Sequence, residues 1–168
     1  GSCGSAADGL LAGVAAAGAE AGSAADPQAG GAASAAATGA PALREIELGT
    51  EADALFVSQS GGLDEANARI ASMVNAINGI YEFDLGLTNR IVFQRGWEGS
   101  DPYTNSNSDT LLDQFRSNFL LSVATPTDDA VLFSGRDFEN NVVGRAFVAA
   151  ACSGCRFGVN QFYQQSDS

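Results

Sequence analysis

The sequence predicts an α/β fold: a mixed, mainly parallel twisted sheet with one antiparallel edge strand and two long helices. Three observations carry that expectation. Strand-like and helix-like stretches alternate through the middle of the chain. Two helices separate the first three strands, which implies right-handed crossovers and parallel pairing. The last strands follow one another so closely that one of them is expected to pair antiparallel at an edge. The order read from the sequence is β-α-β-α-β-β-β.

The first strand material lies in 43–58, with Ile46, Leu48 and then Ala54-Leu55-Phe56-Val57, and Gly61-Gly62 ends it. Asp64 is the expected N-cap of the first helix, and Leu63 before it a hydrophobic staple. Ala66, Ile70, Met73, Val74, Ile77, Ile80 and Tyr81 recur at three and four, an amphipathic helix of about five turns. Gly86 breaks it, and Ile91-Val92-Phe93 through Trp97 reads as the second strand. A polar loop over 98–108 follows. Ser108 or Asp109 then caps a second helix with Leu111, Leu112, Phe115, Phe119 and Leu120 on one face. Ala130–Phe133 is a short buried strand, and Val142–Ala151 and Phe157–Phe162 are two more.

Residues 1–42 stand apart. About two-thirds of them are Ala or Gly, with no aromatic residue and no Arg. Such a segment buries too little apolar surface to offset its ordering entropy, so it reads as a low-complexity tail or linker ahead of a folded part, 43–168. Its uncharged run Gly9–Ala19 is eleven residues, short of the roughly 20 that a membrane span needs. Gly1-Ser2-Cys3-Gly4-Ser5 resembles the end of a bacterial lipobox, which makes Cys3 a candidate for lipid attachment. The plainer reading is a terminal scar ahead of an ordinary cysteine.

Charge and composition exclude whole classes of function. A net charge of −12 argues against nucleic acid, whose phosphates need a basic face. It argues equally against anionic lipid. The absence of histidine removes Ser/His/Asp triads, Cys/His dyads and His-ligated zinc from this chain's own repertoire. Asn105, Asn107 and Asp109 alternate like the start of an EF-hand. The loop nevertheless lacks Gly at its sixth position and has Arg116 at its twelfth, so that reading fails. Cys152-Ser153-Gly154-Cys155 admits half a zinc ribbon, a redox motif or a disulfide. Without a second C-x-x-C, and lying between strands, it reads best as a structural disulfide, local or to a partner, which implies an oxidising compartment.

Several stretches resemble, in order and spacing, the first half of a metzincin zinc endopeptidase domain of the reprolysin/adamalysin-like, bacterial secreted type. They are Arg69 to Tyr81 with Glu82-Phe83-Asp84-Leu85-Gly86, Asp101-Pro102-Tyr103-Thr104-Asn105, Asp128 to Phe138, and Gly144 to Cys152 leading to Phe157-Gly158-Val159-Asn160. The resemblance implies a zincin-like N-terminal subdomain over 43–168. It implies that the strand matching Val143–Ala150 is the edge strand that binds substrate backbone, with Gly144, Arg145, Ala146, Phe147 and Val148 as substrate contacts. It implies hydrolysis of peptide bonds by zinc-activated water. The family's H-E-x-x-H-x-x-G-x-x-H helix has no counterpart here, so no zinc ligand or catalytic residue is carried over and the chain alone is expected to be inactive. Asp128 matches a calcium position of some members, with Glu45 or Glu47 as partner. A secreted or cell-surface location and a missing C-terminal subdomain belong to the same expectation. The alternative reading is a non-catalytic module whose open edge strand mediates self-assembly or protein binding.

Overall fold

The computed structural model describes residues 43–162; the predicted tail, with Cys3 and the Gly9–Ala19 run, lies outside the described residues. Strand β1 (Arg44–Ala52) leads into a short helix α1 (Ala54–Ser60) and a long one, α2 (Leu63–Leu85). Strand β2 (Leu87–Gly96), helix α3 (Ser108–Ser122), strand β3 (Asp129–Ser134), strand β4 (Gly144–Ala146) and strand β5 (Phe157–Gln161) follow. The five strands form one sheet in the order β2-β1-β3-β5-β4. All neighbours are parallel except β4 and β5, which are antiparallel at the edge. The predicted mixed sheet with one antiparallel edge pair is therefore present.

Three local readings change. Ala54-Leu55-Phe56-Val57 is helix, not strand, because the Asp53 carboxylate accepts from the Phe56 N–H and Gly61 closes the turn at φ 100°. A four-residue apolar run has no period that separates the two states. Gly62 rather than Asp64 is the N-cap of α2, which leaves Asp64 and Glu65 in the first turn, where the helix dipole favours them. Asn107 rather than Ser108 or Asp109 caps α3, its side chain accepting from the Thr110 N–H at 3.2 Å. There are three α-helices in the described residues, one of them short.

Alternation along β3 divides the core. Ala130 and Leu132 join Phe157 and Val159 against Leu111, Leu112, Phe115 and Phe119 of α3. Val131 and Phe133 turn the other way with Leu48 and Ala52, against Phe56, Ala66, Ile70 and Val74. The first layer is aromatic: the Phe115 ring meets Tyr103, Phe119 and Phe157 at 6.2, 5.5 and 5.5 Å, all near edge-to-face. Gly49 lets α3 come this close, since a Cβ there would lie 2.7 Å from Phe119 Cζ. The register of β1 against β2 slips between Leu48 and Gly49, so Gly49 faces Phe93 and Val92 is left over as a bulge. Leu120, expected on the buried face, is 47% exposed, because it lies about 100° around the helix beyond Phe119.

Two carboxylates on and just after β1 are fully buried, Glu51 and Asp53. Glu51 takes Arg95, the Tyr103 hydroxyl and the Trp97 Nε1–H as donors. Asp53 takes the Phe56 and Gly135 N–H groups and the Ser134 hydroxyl. Asp101 accepts from the N–H of Ala54 and of Tyr103, both at 2.7 Å, and Arg136 lies 3.6 Å from Asp53 and 3.5 Å from Asp101. The network pins the loop after β2 onto the carboxyl ends of the strands.

Burial first, then the charge and hydrogen bond of Glu51, push the Tyr103 phenol above its ordinary pKa of 10.0. The neutral phenol is the form the fold favours. Its contribution is therefore complete below pH 10 and is lost as pH rises further. Tyr103→Phe is expected to cost about 1–3 kcal/mol at neutral pH, by removing a donor from a buried carboxylate. It should also flatten the alkaline loss of stability, which urea midpoints measured between neutral pH and pH above 10 would record.

Candidate functional site

The residues singled out as substrate contacts gather at the antiparallel edge, but the strand there is shorter than the predicted Val142–Ala151. Only Gly144, Arg145 and Ala146 pair with β5. Beyond Phe147 the backbone turns, with Ala149 at φ 54° and Cys152 at φ 60°, and Ser153 N–H donates to the Ala150 carbonyl. Val143 and Phe147 flank the strand and still bond to β5: Gln161 N–H donates to Val143 O at 2.8 Å, and Phe147 N–H to Phe157 O at 3.3 Å. Backbone groups of an antiparallel strand alternate in direction. With 143, 145 and 147 turned to β5, the N–H and C=O of Gly144 and Ala146 turn outward. Both residues are exposed.

The five candidates therefore do different things. Gly144 and Ala146 offer free backbone pairs without bulky side chains. The Arg145 guanidinium pairs with Asp109 in the first turn of α3. Phe147 packs partly against the aromatic layer. Val148 is 67% exposed beyond the strand.

A trough runs beside this edge on the side of the sheet that carries α2. One cavity of about 460 Å³ lies between α2 (Met73, Ile77, Tyr81) and Leu48, Val131, Val143 and Phe162. A second, of about 690 Å³, is lined by Gly144, Arg145, Ala146, Phe147, Gly158 and the 149–151 turn, and shares Asp129, Val131 and Asn160 with the first. Ile77, Ile80 and Tyr81, which the helical period placed on the packing face, are 41%, 60% and 38% exposed. The distal half of α2 has sheet on only part of that face. Burial pushes the Asp129 carboxyl above its ordinary range.

The calcium pair and the C-x-x-C bridge are not assembled as expected. Glu45 and Glu47 both pair with Arg90, at 2.6 and 2.8 Å. The Asp128 carboxylate accepts from the Glu47 N–H at 3.0 Å and from the Cys152 thiol at 3.5 Å. Its oxygens thus tie β1 to the turn after β4. Cys152 carries a free, exposed thiol, so no Cys152–Cys155 disulfide forms. Its left-handed backbone and the bond from its N–H to the Asp128 carbonyl aim the side chain at Asp128. The sequence reading missed the buried pair Glu51 and Asp53; two acids two residues apart at the end of an apolar strand were the available signal.

Comparison with known proteins comes to one family and one fold. A reprolysin model of metallo-peptidase family M12 matches residues 42–167. No curated protein matches the chain. Among solved structures, a chain from the structure of a chaperone-substrate complex superposes with a TM-score of 0.58 at 14% identity. That match takes in 71% of this chain and 23% of the other, and at such identity it speaks for the fold alone.

The Cys152 thiol donates to Asp128, which with partial desolvation raises its pKa above the usual 9.0. The nucleophile is the thiolate, so an exposed cysteine here should alkylate more slowly than a free thiol at pH 8. Asp128→Asn should accelerate alkylation at Cys152. Timed iodoacetamide labelling read by peptide mapping checks both; an unchanged rate in the variant would remove the assigned hydrogen bond.

Proposed function

Since the chain belongs to metallo-peptidase family M12, in its reprolysin branch, we propose that residues 43–168 form the zincin-like, substrate-edge portion of a metalloendopeptidase, with β4 as the strand to which an extended peptide adds. The observation that supports this most directly is the outward-facing backbone of Gly144 and Ala146 on an exposed edge. Strand addition draws its affinity from backbone hydrogen bonds and its selectivity from pockets beside alternate side chains. The trough beside β4 supplies such space.

The zinc that the family implies does not fit this chain. The sequence has no histidine, and among the described residues no group of three or more His, Cys, Asp or Glu converges on a point. No catalytic step is therefore derived from these residues, whose part is to hold and orient the peptide. In this reading the metal-binding element lies on polypeptide beyond the chain and covers the trough between α2 and β4. Phe162 fits that placement. It lines the trough, with its ring 5.2 Å from Phe56 and Arg69 stacked over it at 4.8 Å. Secretion belongs to the same proposal and rests on the resemblance. No helix among the described residues is long and apolar enough to cross a membrane.

A second reading, a non-catalytic interaction module, is favoured by the exposure of Ile80, Phe83, Leu85 and Leu121, at 60%, 90%, 59% and 87%. Apolar area in that quantity suits a partner. Light scattering over a dilution series separates the two: a stable dimer or larger assembly supports the module.

Titrating the isotopically labelled chain with a blocked, uncharged extended hexapeptide tests the first reading. The amides of Gly144 and Ala146 should shift, while those along the other free edge, β2, stay in place. Equal shifts on both edges, or none at β4, would end the proposal.

A further inference from the structure

The edge strand is short and its flanks are unusual. Asn140 and Asn141 precede it at φ 61° and 57°, and Ala149 and Cys152 follow it at φ 54° and 60°. Among the described residues these are the non-glycine positions with left-handed backbone, and all four bracket β4. Ala and Cys adopt that conformation at a free-energy cost, which persists only where surrounding contacts hold it. The backbone of β4 gives little to hold with, since only three residue pairs join it to β5.

Arg145 adds a side-chain contact. Its side chain crosses to α3 and pairs with Asp109, and its buried Nε has no acceptor. The guanidinium is thus committed to one carboxylate. Asp109 is well placed to receive it, because the first turn of α3 stabilises a negative charge independently of Arg145. The ion pair ties Arg145, which also lines the larger cavity beside the edge, to the helix α3.

We propose that Arg145 is a positioning residue: its ion pair with Asp109 clamps β4 against β5 and so keeps the outward backbone of Gly144 and Ala146 straight enough to accept a peptide strand. The peptide half of this statement rests on the function proposed above; the clamp does not. Arg145 acts through the backbone of its neighbours and needs no contact with the peptide.

Hydrogen exchange on the full chain tests the clamp without any ligand. The reporters are the Phe147 and Gln161 amides, whose bonds cross between β4 and β5. The control is the Ala130 amide, which bonds to Arg156 on the inner side of β5. Arg145→Met and Asp109→Asn should each speed exchange at the two reporters about two- to fivefold, the range expected of a partly exposed ion pair. Ala130 should be unaffected, and Arg145→Lys should restore much of the protection. The double variant should be no faster than either single one, since both remove the same contact. Affinity for the blocked hexapeptide should fall by a similar factor. Reporters that do not respond in either variant, or an Ala130 amide that accelerates equally, would overturn the clamp. Should the wild-type chain bind no peptide while the reporters respond as expected, the clamp stands and the substrate-edge reading falls. Asp109→Asn, at an exposed position, keeps the test available if Arg145→Met does not fold.

Discussion

A carboxylate without access to water must find donors inside the protein, and the central strand carries one such group, Glu51, with Asp53 immediately after its end. Leaving a charged group buried and unpaired costs more than any single contact in this fold returns. Their partners come from everywhere the strand must be joined: β2 and the loop after it (Arg95, Trp97, Tyr103), the end of β3 (Ser134, Gly135) and the start of α1 (Phe56). Satisfying these two acids fixes the sheet's upper rim. Arg136, between Asp53 and Asp101, extends the constraint to the next connection. The aromatic layer beneath depends on it too, because Tyr103 belongs to both.

The two faces of the sheet are served unequally. Helix α3 closes one with five buried positions, and Gly49 lets it settle directly onto β1. Helix α2 covers the β1 side of the other and leaves β3, β5 and β4 beside an open trough. The asymmetry makes the family assignment physically intelligible. The role proposed above, receiving a peptide and a metal-bearing element, needs an unfilled half-face bordered by an unpaired edge, and the trough beside β4 offers that combination.

Much of this was legible in the sequence. The parallel order followed from helix length between strands, and the edge strand's antiparallel sense from the short link to β5. Gly86 and the Ile70–Val74 period marked α2, and Leu111, Leu112, Phe115 and Phe119 marked α3. What escaped was decided by partners distant in sequence. Phe56 and Val57 are helical because Asp53 caps them, a choice the apolar run itself does not encode. The length of β4 is set by the turn through Ala149, where no glycine signals it. Asp128 looked like a metal ligand by position, yet its oxygens go to Glu47 and Cys152. Cys152 and Cys155 have the spacing of a bridge, but the backbone at Cys152 sends its sulfur elsewhere.

The pairing register also sets how this molecule must assemble in time. Leu48 bonds across to Ile91 on one side and to Asp129 on the other, so the central strand waits for two distant stretches of chain before it is flanked. Its neighbour β3 in turn gains its second partner only at Phe157–Gln161. Contacts of such separation require most of the loop-closure entropy to be lost before they return any free energy. On a ribosome, β1 emerges first, and its buried acids lack their last partners until Ser134 and Gly135 have been made. The fold is therefore one that a nascent chain completes late, with β5 placed between β3 and β4 at the end.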